Sequence, residues 1–154
     1  MSYSKIIQSI EIPEQAFEKF CSWSDDCYTR NCIFENEKFE LILLCWEKSQ
    51  KTSIHDHGGE ECWVKVIKGT FKEITYKEHA ISGLKEITSS ISKKGETSYM
   101  IDFMGFHSLE NYSNHRAMSL HLYAKPIKNC NIFDTNTRTF ITKYLSYCTV
   151  SETL

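Results

Sequence analysis

Ser53-Ile54-His55-Asp56-His57 and, after a gap of three residues, Glu61-Cys62-Trp63-Val64-Lys65-Val66-Ile67-Lys68-Gly69 form the stretch on which the fold turns. On an extended chain, residues i and i+2 point to the same face. His55 and His57 therefore present two imidazoles together, with Asp56 turned away. The second part reads as a strand that ends in a turn glycine. A lone His-x-His is also compatible with a surface loop carrying two incidental histidines, so its meaning depends on what else the chain supplies.

Working outward, Gly105-Phe106-His107-Ser108-Leu109-Glu110-Asn111 is a turn-like stretch with an isolated histidine. Two close histidines and a distant third make a facial ligand set. Three neutral ligands leave coordination positions open for substrate, as in a catalytic rather than a closed structural site. From Arg116 to Ala124, Ser119, His121 and Tyr123 share one parity, and Met118, Leu120, Leu122 and Ala124 the other. Two readings are open. The polar row is the solvent face of an alternating strand, the commoner arrangement, or it projects into an interior where its groups satisfy one another.

The remaining chain reads as many short strands. Candidates are Asn31–Phe34, Lys38–Trp46, Glu61–Lys68, Phe71–Tyr76, Leu84–Ile91, Thr97–Ile101, Arg116–Ala124 and Thr139–Leu145, separated by turn signals such as Lys68-Gly69-Thr70 and Lys94-Gly95. This is the pattern of an all-β sandwich or barrel. Six glycines and two prolines are few for so many turns, which counts against some of these boundaries. Before the strands, Ile12–Phe20 reads as a helix with Pro13 at its first position and Phe17 and Phe20 on one face.

Composition limits the function. The 154 residues suit one domain, and a net charge of −2 offers no basic excess for a nucleic-acid backbone. The longest apolar run, Leu41 to Trp46, is far below the ~20 residues of a membrane helix. Seven cysteines cannot all pair internally, and none forms Cys-x-x-Cys. The expectation is a cytoplasmic monomer with reduced thiols, binding neither nucleic acid nor membrane.

Together these residues resemble the cupin superfamily and, within it, the cysteine dioxygenase family. The first cupin motif is His-x-His, a glutamate three or four residues on, then six residues and a glycine. Counting back from Gly69 places Cys62, rather than Glu61, at the glutamate position, a mark of the thiol-oxidising branch. The second motif survives as Gly105, His107 and Asn111. Tyr28-Thr29-Arg30-Asn31, Leu44-Cys45-Trp46 and Ser119-Leu120-His121-Leu122-Tyr123 are similar to the family in the family's order, from about Cys27 to Asp134.

The resemblance implies a cupin-type antiparallel β-barrel or jelly roll. It would span 1–154 as a single domain, with a helical segment over about 1–27 and the barrel over about 28–147. It implies His55, His57 and His107 as ligands of one Fe2+ per chain. Arg30 would pair with the substrate carboxylate and Tyr28 would shape that end. Tyr123 would act beside the metal, positioned through His121 and Ser119, with Cys62 as its thioether partner and Trp46 as a wall. Cys130 would neighbour the pocket, while His79, His115 and the other cysteines take no role.

The implied activity is insertion of both atoms of O2 into the thiol of L-cysteine to give cysteine sulfinate. Alternatives are a dioxygenase of another small thiol acid such as 3-mercaptopropionate, a non-enzymatic metal-binding cupin, and a zinc hydrolase, since three histidines also suit zinc. Arg30 favours cysteine, because glutamine commonly stands there in the 3-mercaptopropionate branch. Taken alone, Arg30 reads equally as a surface ion pair and Cys62 as apolar filling beside Val64 and Val66.

Overall fold

The computed structural model describes residues 2–9 and 11–151. Its strands are β1 (Thr29–Glu35), β2 (Glu40–Trp46), β3 (Glu61–Lys68), β4 (Thr70–His79), β5 (Gly83–Lys93), β6 (Thr97–Met100), β7 (Phe106–Asn111), β8 (Ala117–Ala124), β9 (Asn129–Asp134), β10 (Thr139–Tyr144) and β11 (Thr149–Val150). One six-stranded sheet runs β11-β1-β2-β8-β3-β6. It is antiparallel apart from the short β1–β11 pair. Opposite it lie β5-β4-β7 and β9-β10. Between these two blocks runs the chain around Lys51 and His55, bridging Glu110 and His107 on β7 and Ile132 on β9. The second face of the sandwich is thus completed by the histidine segment itself. The result is a two-sheet jelly roll rather than a closed barrel.

Strand β8 lies between β2 and β3, and its polar row faces inward. Ser119, His121 and Tyr123 stand opposite Leu44, Ile42 and Glu40 on β2 and opposite Val66, Val64 and Cys62 on β3. All of these residues are buried. The solvent-face reading of this row therefore fails. The other parity is buried as well, because helix α1 (Tyr3–Ser9) and a 3-10 helix (Glu14–Phe20) cover the sheet's outer face. Ile7 and Phe17 pack there against Leu43, Trp63, Leu120 and Leu122. Lys65, on that face, donates its ammonium to the carbonyls of Ile7 and Gln8, satisfying groups at the helix end.

Several boundaries shifted for identifiable reasons. The predicted Ile12–Phe20 helix forms as a 3-10 helix from Glu14, with Pro13 extended just before it. Helix α1 was missed because seven residues with one buried side chain carry almost no periodicity. β7 was read as a turn, yet only its entry is one. Gly105 has φ +107, and a Cβ there would lie 2.2 Å from the Tyr76 carbonyl oxygen. The scarcity of glycine and proline is met by side chains. Asn36 Oδ1 accepts from the N–H groups of Lys38 and Phe39, and Asp134 Oδ1 accepts from Asn136 and Thr137.

Candidate metal centre

The three histidines converge because of sheet pairing. His55 and His107 exchange reciprocal backbone hydrogen bonds, N–H to carbonyl, both 2.9 Å. His57 follows on the same face as His55. Asp56 points the other way and is fully used in holding the loop, accepting from the Gly58 and Asn131 N–H groups and from Asn131 Nδ2. One ligand atom from each histidine lies within 4.8 Å of the others.

The protonation pattern suits a cation. His55 Nδ1 lies 2.8 Å from the Ser53 carbonyl oxygen and His107 Nδ1 lies 2.7 Å from Glu73 Oε1. Both partners accept, so Nδ1 donates in each case, and in the neutral His55 ring Nε2 is left as a lone pair. Burial, helped by the neighbouring His107, lowers His55 to about 3 and holds His57 well below the usual imidazole range. His55 and His57 are therefore neutral at physiological pH. His107 Nε2 and His57 Nε2 stand 2.9 Å apart. Two nitrogens about 2.1 Å from a common ion are about 3.0 Å apart at a right angle and about 3.4 Å apart at the tetrahedral angle. The spacing fits a facial set about one ion with open positions.

Behind the histidines, Trp46 Nε1 donates to Ser119 Oγ at 2.9 Å, and Ser119 Oγ lies 2.8 Å from His121 Nε2. His121 Nδ1 then faces Cys62 Sγ at 4.0 Å. His121 meets Tyr123 by ring stacking, with centroids 6.2 Å apart. The row Ser119–His121 thus leads to Cys62 rather than to the Tyr123 hydroxyl. Cys62 and Tyr123 are register partners across β3 and β8. Burial pushes the Cys62 thiol up, and burial beside that thiol pushes the Tyr123 phenol well above its usual range. Both stay protonated at neutral pH. Glu61 points outward to the Tyr99 hydroxyl, 2.7 Å away. Cys62, not Glu61, therefore occupies the interior position.

A cavity of about 180 Å³ opens beside the centre, lined among others by Tyr28, Arg30, His55, Tyr123, Cys130 and Lys143. That size suits an amino acid rather than a drug-sized ligand. Arg30 Nε and Nη2 are buried without a hydrogen-bond partner among the described residues. Two buried guanidinium nitrogens left without a hydrogen bond are costly and are ready for a planar carboxylate. Tyr28 stacks on Trp46 with ring centroids 4.5 Å apart, so Trp46 supports both the cavity wall and the Ser119 link.

Sequence reasoning missed Glu73, Glu40, Lys143 and Tyr147. Each lies outside the quoted motifs, and only pairing brings it to the site. Asn111, from the second motif, is structural: its Nδ2 donates to the Glu47 and His115 carbonyls. All seven cysteines are free thiols, with Cys27 and Cys148 exposed. No helix among the described residues is long and apolar enough to cross a membrane.

A double-stranded β-helix whose interior gathers three histidines defines a metal-binding protein of the cupin class, and the solved structures agree with that fold. A conserved protein with a double-stranded β-helix domain from Klebsiella pneumoniae superposes with a TM-score of 0.54 at 15% identity, covering 75% of this chain and 90% of that one. An RmlC-like cupin from Desulfovibrio desulfuricans gives a TM-score of 0.54 at 15% identity, covering 70% and 91%. Sequence narrows the class further. The family model for cysteine dioxygenase type I matches residues 2–136, and the chain belongs to that family. Cysteine dioxygenase type 1 of Danio rerio is 35% identical over 137 residues, covering 86% of this chain and 68% of that protein. The Homo sapiens protein of the same name is 30% identical over 136 residues, with the same coverage.

Proposed function

We propose that this protein is a mononuclear non-haem Fe2+ cysteine dioxygenase, converting L-cysteine and O2 into cysteine sulfinate. The observation that carries this reading is the shared cavity: a buried guanidinium with two unsatisfied nitrogens on one wall and a histidine of the candidate metal cluster on the other.

His55, His57 and His107 would hold the iron, which supplies a Lewis-acidic centre for thiolate and O2 when bound. Three neutral ligands leave its full charge uncompensated, so the site favours an anionic sulfur donor over a neutral one. Arg30 binds the substrate carboxylate through two parallel N–H···O bonds, and Tyr28 closes that end of the cavity. Tyr123, protonated at neutral pH, offers its hydroxyl as a donor beside the substrate. Ser119 and His121 keep the back wall polar yet satisfied, and Cys62 is the thioether partner of Tyr123. Substrate filling so small a cavity would displace water from it, which strengthens each of these contacts.

The test is metal analysis of anaerobically purified protein, combined with O2 uptake on addition of L-cysteine after ferrous reconstitution. The expected result is bound iron, cysteine-dependent uptake and sulfinate as product. Zinc content with no O2 uptake after reconstitution would defeat the reading. Equal rates with 3-mercaptopropionate would remove the preference for cysteine.

A further inference from the structure

We propose that Glu40 is the positioning residue for the substrate-binding arginine, and that Tyr147, from the segment following β10, holds Glu40 in place. This rests on the reading of Arg30 as the carboxylate-binding group.

The observations lie on the inner face of the large sheet. Arg30 on β1 pairs with Leu44 on β2, and its side chain extends along that face to Glu40, with Nη2 3.8 Å from Oε1. Glu40 is fully buried behind the cavity. Its Oε1 accepts the Ile127 N–H at 3.1 Å and its Oε2 accepts the Tyr147 hydroxyl. Burial pushes the Glu40 carboxyl up, while Tyr147, the Ile127 N–H and the charge of Arg30 pull it back. The Tyr147 hydroxyl has one proton to share between Glu40 and Glu35, while the Ile127 N–H and the Arg30 charge both face Oε1 and favour the carboxylate form. Tyr147 also reaches Glu35 at 2.9 Å, and Glu35 pairs with Lys128 at the surface.

The backbone around Arg30 is gripped by the same segment. The Cys148 N–H donates to the Arg30 carbonyl at 2.7 Å, and β11 pairs with Asn31 and Cys32. An arginine has four rotatable side-chain bonds and tends to extend its head toward water. Glu40 is the one carboxylate paired with it among the described residues, and it stands at the inner end of the reach. At 3.8 Å the ion pair is too long for a hydrogen bond, so Glu40 attracts the guanidinium without occupying its N–H groups. Those groups stay available to a substrate carboxylate.

The test compares wild-type, Glu40→Gln, Tyr147→Phe, Arg30→Gln and the Arg30→Gln/Glu40→Gln double variant, all ferrous-loaded and matched for melting temperature and iron content. Anaerobic titration calorimetry with L-cysteine gives Kd, and O2 uptake gives KM and kcat. Glu40→Gln is expected to weaken Kd and raise KM about tenfold, with kcat falling less than KM rises. Tyr147→Phe should raise KM about threefold in the same pattern. In the Arg30→Gln background, Glu40→Gln should add no further loss. Unchanged or tighter binding in Glu40→Gln overturns the inference, as does an equal loss in the Arg30→Gln background. If Glu40→Gln does not fold, unchanged Kd in Tyr147→Phe overturns it. Wild-type protein that binds cysteine but consumes no O2 would defeat the proposed function and leave this inference standing. Wild-type protein that binds no cysteine defeats both.

Discussion

Cys62 and Tyr123 stand directly opposite one another on neighbouring strands, both fully inside the sandwich and both facing the metal-centre side of the sheet. Directly paired residues have Cα atoms about 5 Å apart, so their side chains are in contact without any backbone movement.

This pairing predicts a thioether. Joining Sγ to the tyrosine ring removes the thiol hydrogen and a ring hydrogen, with the two electrons passing to O2 during turnover. Wild-type protein exposed to iron, cysteine and O2 should develop a faster-migrating form on denaturing gels, lighter by two hydrogens in mass spectrometry. Cys62→Ala should show no such form and reduced activity. A shifted band that persists in Cys62→Ala rules the linkage out.

The carboxylate behind His107 predicts a graded loss of metal. Glu73→Gln keeps the shape but weakens the acceptor for His107 Nδ1, and such partners are typically worth about 10–100-fold in metal affinity. Competition with a chelator measures it. His107→Ala should bind no iron at all. Metal affinity equal to wild type in Glu73→Gln would show that Glu73 serves packing alone.

Arg30→Gln separates substrate binding from metal binding. The variant should retain iron and raise the KM for cysteine by about 10–100-fold, the scale of a charge-assisted bidentate contact. Turnover with unchanged KM would refute the carboxylate role.

Acid should weaken the metal-free protein in a defined window. His55, His57 and His121 are held neutral in the fold, mainly by burial, with His55 down at about 3. The unfolded chain protonates near 6.5. Between those limits the unfolded state binds more protons, so stability falls as pH falls. Each such histidine adds up to about 1.4 kcal/mol per pH unit to that slope. Urea unfolding at pH 7, 6 and 5 checks this. A flat profile would mean that these rings are protonated in the native state.

The strand pattern and the ligand triad were legible because both are encoded locally, by period-two alternation and by His-x-His spacing. The 154 residues also contain information that is legible only after pairing. Glu73 looks like any charged strand residue until β4 lies beside β7. Glu40 reads as a strand-end surface acid until β8 brings Tyr123 opposite and the tail brings Tyr147. The inward direction of Ser119, His121 and Tyr123 was undecidable from alternation. What decides it is a pair of short helices, over Tyr3–Ser9 and Glu14–Phe20, that cover the other face. The first of them left no periodic trace.

The passage of residues 51–55 between β7 and β9 has a mechanical consequence. Among the described residues it is the backbone bridge by which the β9–β10 hairpin joins β7, beside the stacking of Phe106 on Phe140. That hairpin carries Cys130, Ile132 and Lys143, a whole wall of the cavity. His55, a member of the candidate metal cluster, therefore also anchors the wall facing it. Whatever shifts His55 moves the pocket with it, and capturing the ion at His55 sets the outline of the space in which the substrate must fit.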